Sequence, residues 1–372
     1  ADAAHAAASA AAADAVGSSD RADSSSPQEP EEAVELPAPA PTGDGADGGW
    51  QRDEWLEATL PPSTVCSVPR CRTADELVAA QRREMPCVFA NDAREGDLAR
   101  RRAALAKARL LAEADDVPVP MCTPTGAPYE GCSIATVGDV IRGLNASGEA
   151  IRPPPLDGHA GRWLQSDETQ YLFNTRATLV ADNAELFAEL RASAPPMLAA
   201  AHGADSSCSL KHVAIGHSRS GLPFHNHDAV AGNEVVFGRK RWFLSRDAPG
   251  GPGVGFNVKA TSLQWALETL PRVPPTLLAS QETEANEEDR LYECTLRPGE
   301  VMFVPAGWYH ATLNIGETVA VVHDCRRGDG DGDGDNTHSA HALSEAVDSA
   351  VRKDRPVAAV KQLVRGFTKD VV

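Results

Sequence analysis

Residues 299–314 read GEVMFVPAGWYHATLN. A β-rich run, 301–304, ends at Pro305 and Gly307, and the chain re-enters a second extended run that begins with His310. Side chains alternate across a strand, so His310, Thr312 and Asn314 share one face while Ala311, Leu313 and Ile315 share the other. A polar stripe backed by an apolar one suits the wall of a ligand cavity, which predicts a strand–turn–strand unit that carries chemistry.

Outward from this unit, short β-rich runs recur at 211–216, 233–237, 241–245, 291–296, 301–304, 311–315 and 318–323, punctuated by Gly, Pro, Asn and Asp. That texture predicts an all-β sandwich or barrel rather than alternating βαβ units. One helix, 261–270, interrupts the series, and a polar acidic loop, 281–290, follows it. Upstream, 74–84 and 97–114 have helical composition, and the Arg/Lys run of the second reads as a solvated helix face. Residues 136–144 and 183–193 read as further short helices, the latter stopped by Pro195 and Pro196.

The ends have a different composition. Residues 1–49 carry ten acidic residues against one basic and no Phe, Tyr or Trp, too little apolar surface to offset the entropy of ordering. The repeat GDGDGDGD at 328–335 opens like an EF-hand calcium loop, but Ala340 stands where the bidentate Glu belongs, so it reads as a linker. Residues 339–353 and 357–366 look helical, broken at Pro356. The expected organisation is a disordered acidic segment at 1–49, a helical and stranded buttress at 50–204, a β core at 205–325, a linker at 326–338 and C-terminal helices at 339–372. The chain starts at Ala1 rather than Met, as a fragment or processed product would, so no leader is inferred or excluded.

The formal net charge of −18 offers no basic surplus for phosphates, which argues against nucleic-acid binding. No apolar run approaches the ~18 residues that span a bilayer. Eight Cys in 372 residues are too few for a disulfide scaffold, and Cys66 and Cys71 are a candidate pair in an oxidising lumen.

Two further histidines stand two apart in Gly221-Leu-Pro-Phe-His225-Asn-His227. On a strand both imidazoles point into the same space. Together with His310 they form a set that leaves positions open on a metal, as oxygen activation needs.

The 299–314 segment resembles the second motif of the cupin superfamily at every position: Gly299, five residues, Pro305, one residue, Gly307, two residues, His310, three residues, Asn314. The first cupin motif is half met, because Glu234 lies seven residues after His227. The run from His225 through GRKRWFL (238–244), with ECTLRPGEVMFVPAGWYHATLN (293–314), more narrowly resembles the JmjC domain of iron- and 2-oxoglutarate-dependent oxygenases. The likeness is strong over about 205–325 and weaker back to Cys66.

The resemblance implies a mainly β double-stranded β-helix, a jelly roll, with flanking α-helices. It implies Fe(II) held by His225, His227 and His310, with no catalytic residue beyond that site. It also implies that Lys240, fifteen residues after His225, holds the distal carboxylate of the cosubstrate 2-oxoglutarate. Strand parity agrees with that last role, since Lys240 shares a face with Trp242 and Leu244, where a buried ammonium without an anion is costly. His225, His227 and His310 depart from the usual His-x-acid pattern: a neutral imidazole replaces a carboxylate and leaves the metal one unit more positive.

The implied activity is hydroxylation of a protein substrate. The alternatives are a catalytically silent JmjC fold that binds protein partners, and a three-His cupin enzyme without 2-oxoglutarate, against which Lys240 argues. Location in the endoplasmic reticulum lumen is the expectation from resemblance, weakly supported by the sequon Asn145-Ala-Ser147, with the cytoplasm as the alternative. A homodimer through the helical tail 339–366 rests on analogy alone.

Overall fold

The computed structural model describes residues 47–60, 66–91, 97–122, 133–144, 150, 171–173, 195–202, 207–226, 230–246, 261–279 and 290–326. All fall in one compact unit, Pro39–Val372. The expected helix at 183–193, the linker, the C-terminal helices and the sequon lie outside the described residues.

In chain order the elements are α1 (Glu54–Thr59), α2 (Ala74–Arg82), β1 (Cys87–Ala90), α3 (Asp97–Ala104), α4 (Lys107–Glu113), β2 (Pro118–Cys122), β3 (Ser133–Thr136), α5 (Val137–Ile141), β4 (Tyr171–Phe173), α6 (Pro196–His202), β5 (Ser207–Gly216) and β6 (Val230–Ser245). Then come α7 (Ser262–Gln264), which continues into a π turn (Trp265–Thr269) and a 3₁₀ turn (Leu270–Arg272), and β7 (Tyr292–Leu296), β8 (Glu300–Val304) and β9 (Tyr309–Arg326). The described strands form one antiparallel sheet in the order β1-β8-β6-β9-β5-β4-β2-β3, with β7 also paired to β6. This arrangement accords with the jelly roll implied by the sequence.

Two long strands replace the four short runs expected: 233–237 and 241–245 merge into β6, and 311–315 and 318–323 merge into β9. The turn signal at Gly238 is a bulge rather than a break. Its φ is +73°, and a Cβ there would run into the Glu317 carbonyl and the Thr318 side chain. The ladder skips a step on each side of Phe237, between Val235 and Arg239. Glycine at such a bulge lets the strand bend and keep pairing.

The apolar face Ala311, Leu313 and Ile315 packs with Phe243, Leu263, Trp265 and Leu270 under the π-turn helix. The other face holds Trp242 and Leu244 against Tyr292, Cys294, Leu296, Met302 and Trp308. Alternation in sequence thus became two cores, one on each side of the sheet.

Three expectations change. The helix at 97–114 is two helices, because Ala106 is extended (ψ 137°) and the Lys107 N–H donates to the Gly48 carbonyl. Its basic run is only in part a solvated face: Arg100 is exposed and Arg109 partly so, but Arg101 is 3% exposed and its Nε donates to Glu234 at 3.1 Å, and Arg102 lies over the Phe237 ring. The charge turns inward because β6 supplies a buried carboxylate. Residues 47–49, placed at the end of the acidic segment, are folded: Trp50 is buried against Phe237, its Nε1 donates to the Leu105 carbonyl, and Lys107 stands over its ring.

The disulfides also differ from expectation. Cys66 bonds Cys294 and Cys71 bonds Cys87, and Cys208 is disulfide-bonded as well. Five residues of sequence favour a local pair, but the strap 66–71 runs across the molecule. At one end the Ser67 N–H donates to the Glu293 carbonyl on β7, and at the other the Cys71 N–H donates to the Val88 carbonyl on β1.

Candidate functional site

The site rests on a stretch of chain before β6 that is extended without being a regular strand. From Arg219 to His225 it runs beside the start of β9. The Arg219 N–H donates to the Asn314 carbonyl, Asn314 N–H to Ser220, Thr312 N–H to Leu222, and His225 and His310 exchange both backbone hydrogen bonds at 3.1 and 2.8 Å. Close approach is built into the sequence at Gly221, where a Cβ would collide with the Thr312 carbonyl. The π-turn helix fixes the outer side: Ser262 Oγ donates to the Leu222 carbonyl at 2.6 Å, and Trp265 meets Phe224 edge-on at 4.8 Å.

Directly opposed residues of an antiparallel pair project to the same side of the sheet. The His225 and His310 rings accordingly stand 4.2 Å apart, centroid to centroid. Each ring is held by the carbonyl two residues before it: His225 Nδ1 lies 2.8 Å from Pro223 O, and His310 Nδ1 lies 2.9 Å from Trp308 O. A carbonyl only accepts, so each Nδ1 carries the proton, and Nε2 is the basic nitrogen of both rings. Metal-ligating histidines are usually oriented in this way. His227 lies outside the described residues, and among the described ones no cluster of three metal-ligating side chains forms.

On the far side of β9, β6 supplies the rest of the wall. The register pairs Leu244 with His310, Trp242 with Thr312 and Lys240 with Asn314, so all six side chains share the face predicted from parity. Trp242 stacks on the His310 ring at 5.9 Å and 26°. Lys240 is 3% exposed, and burial lowers its ammonium to about 8. Nearby on the same face, Trp242 Nε1 and Asn314 Oδ1 are buried with no hydrogen-bond partner among the described residues. Orphaned buried polar atoms beside a buried cation are the chemistry of a wall that receives a polar ligand. The donor set present therefore fits both a metal at the two imidazoles and an anion at Lys240.

Residues 270–325 match the family model of the JmjC domain, hydroxylase. Over this stretch the chain is similar to a JmjC domain. Curated relatives agree. The human JmjC domain-containing protein 8 is 39% identical over 102 residues, 27% of this chain and 33% of that protein. The Arabidopsis thaliana lysine-specific demethylase JMJ21 is 38% identical over 124 residues, 30% of this chain and 12% of that protein. The Caenorhabditis briggsae bifunctional arginine demethylase and lysyl-hydroxylase psr-1 is 59% identical over 32 residues, 9% of this chain and 8% of that protein. The chain thus spans a third or less of the length of these relatives.

Glu234, which the first cupin motif would want near the metal, lies outside this JmjC site. Its register partners are Val321 and Val301, and it pairs with Arg101 and Asn91 beneath α3. Burial raises its carboxyl, opposed by Arg101 and Asn91. His323 lies on that same face, opposite Gly232, and burial together with Arg101 lowers it to about 3. It is a neutral core histidine, not a ligand. His217 is likewise held below its usual value by burial, although Glu317 lies 3.9 Å away and opposes the shift. Reading the sequence alone missed Trp242 as a partner of His310, and Ser262 and Trp265 as supports of His225. Aromatic and hydroxyl residues in apolar runs carry no local mark of that role.

Proposed function

We propose that this JmjC domain is an Fe(II)- and 2-oxoglutarate-dependent hydroxylase-type centre acting on protein side chains. The observation that carries the reading is the pair of imidazoles, 4.2 Å apart, whose Nδ1 atoms are held by the Pro223 and Trp308 carbonyls. His225 and His310, with His227 of the motif, would hold Fe(II), and Lys240 would hold the distal carboxylate of 2-oxoglutarate. Four residues of strand, roughly 13 Å of backbone, separate Lys240 from the partner of His310. Bound iron with 2-oxoglutarate would supply the oxidation.

The chain's own part is to orient and to exclude water. Trp242 packs one face of the His310 ring, the carbonyls of Pro223 and Trp308 fix the tautomers, and Lys240 neutralises the cosubstrate's second charge. The relatives named as demethylases and a hydroxylase support a protein side chain as substrate. The His-x-His sequence at 225–227 favours a second reading, a silent JmjC fold that binds protein partners.

Succinate formation and iron content decide between them. Protein loaded without oxygen is compared as wild type, His310→Ala and Lys240→Ala. The hydroxylase reading expects iron loss in the first variant and loss of succinate in the second. Equal iron in wild type and His310→Ala removes the metal site. Iron without any succinate favours the silent fold or a centre that uses no 2-oxoglutarate.

We also propose an oxidising compartment, the endoplasmic reticulum lumen, as its location. Two disulfides stabilise the described fold, and none of its cysteines is free. A glycosidase-sensitive mass shift lost in Asn145→Gln supports this, and purely cytosolic fractionation of the full-length product refutes it.

A further inference from the structure

The Cys66–Cys294 disulfide stands directly behind the site. Cys294 is 1% exposed on β7 and is the register partner of Trp242, so its side chain and the indole project to the same side of the sheet. Trp242, 3% exposed, stacks in turn on the His310 ring. Around the pair lie Met85, Tyr292 and Trp308, with half-buried Cys66 packed against them. Trp308 is fixed by its Nε1, which donates to the Glu84 carbonyl at 2.7 Å, and its own carbonyl accepts from His310 Nδ1. One buried cluster therefore links the disulfide and Trp242, and Trp242 in turn stacks on the His310 ring, a proposed metal ligand.

The strap 66–71 that brings Cys66 to this place is held to β7 by the disulfide and by the Ser67–Glu293 backbone and hydroxyl hydrogen bonds. At its other end it is held to β1 by backbone hydrogen bonds and by Cys71–Cys87. The two disulfides thus differ in what they touch. Cys71 and Cys87 pack with Leu77, Ala80 and Phe89 on the α2 side, away from Trp242.

We infer that the Cys66–Cys294 disulfide is a positioning element of the metal site, which fixes Trp242 behind His310 and makes the site's metal affinity depend on thiol redox state. The inference rests on the reading of His225 and His310 as metal ligands. Reduction would proceed by attack of a dithiol's thiolate on the Sγ of Cys66, the less buried of the two residues. The S–S bond breaks, Cys294 leaves as a thiolate and takes up a proton, and the second thiol of the reductant releases Cys66 as a free thiol while the reductant becomes a disulfide. Two electrons pass from the dithiol to the protein. Freed of the crosslink, Cys66 and Cys294 are no longer held together and the strap keeps only the Ser67–Glu293 hydrogen bonds to β7, so the indole that restrains His310 loses part of its backing.

The test measures Co(II) affinity of the full chain, titrated anaerobically by its visible absorption, for wild type, Cys66→Ser/Cys294→Ser, Cys71→Ser/Cys87→Ser and His310→Ala. Loss of a group that orients a ligand typically weakens metal binding by about 10–100-fold. That loss is expected for Cys66→Ser/Cys294→Ser and for wild type pre-reduced with a dithiol. Cys71→Ser/Cys87→Ser, the control for loss of a disulfide as such, should stay within about twofold. Wild-type affinity in folded Cys66→Ser/Cys294→Ser overturns the inference while leaving the metal reading intact, as does equal weakening in both disulfide variants. Absence of Co(II) binding in wild type, or unchanged binding in His310→Ala, overturns the metal reading and the inference with it. If the double serine variant does not fold, Trp242→Leu with both disulfides intact carries the test: about tenfold weaker binding supports the inference, and wild-type binding refutes it.

Discussion

Arg101→Met isolates the most consequential buried charge pair. Arg101 and Glu234 are 3% and 0% exposed and 3.1 Å apart, and Asn91 supplies a second donor to the carboxylate at 3.0 Å. Met keeps the length and apolar stem of Arg but removes the cation. The carboxylate is then buried with one neutral donor, and breaking a buried pair from one side costs about 3–5 kcal/mol. That is a large part of a typical total of about 5–15 kcal/mol.

The sign of the pH dependence follows from proton binding. Burial already holds the Glu234 carboxyl above its usual value despite Arg101, and loss of Arg101 raises it further. His323, freed of the repulsion from Arg101, also becomes easier to protonate. By either route the folded variant gains a proton relative to wild type, so its deficit is full at high pH and shrinks as pH falls, by up to about 1.4 kcal/mol per unit. Urea unfolding of both proteins at pH 8 and pH 5.5 measures this. Adding Glu234→Gln to Arg101→Met should return part of the loss, because the uncompensated charge is gone. A deficit under about 1 kcal/mol at pH 8, or one that does not change with pH, refutes the reasoning.

Two further outcomes follow from the pKa shifts. The folded-state pKa of His323, about 3, lies below its ordinary 6.5, so the unfolded chain binds more protons between those values and stability falls as pH drops through that window. His323→Leu should therefore flatten the acid limb, sparing about 2 kcal/mol at pH 5, and an unchanged loss between pH 7.5 and 5 in urea melts counts against it. Lys240 is depressed to about 8 from 10.5, a penalty that is complete below pH 8 and relieved as pH rises toward 10.5. Lys240→Met should stabilise the ligand-free protein by up to about 3 kcal/mol at pH 7 and abolish any thermal stabilisation by 2-oxoglutarate, and a persisting 2-oxoglutarate shift removes Lys240 from that role.

Several local features were readable before any tertiary structure. Pro305 and Gly307 end β8 and start β9 where their backbone preferences demand, and Glu300–Val304 and Tyr292–Leu296 fall where the β-rich runs placed them. Arg101 was misread for a specific reason. An arginine among arginines on a helical stretch is solvated by default, and only a carboxylate from a distant strand reverses that. Gly238 was misread as a boundary because a bulge and a turn use the same residue for the same positive φ.

By itself the sequence determined the faces. A two-residue period needs no partner, so it placed His310, Thr312 and Asn314 together, and Lys240 with Trp242 and Leu244. Only the tertiary structure decided what those faces meet. The pairing of 219–225 with the start of β9 sets the two imidazoles 4.2 Å apart, the register of β6 sets Trp242 on His310, and a strap bonded across 228 residues sets Cys66 against Cys294. Register and long-range pairing depend on the summed fit of whole strands and cores. No single local stretch carries that sum, so the wall of the site was legible in the sequence and its assembly was not.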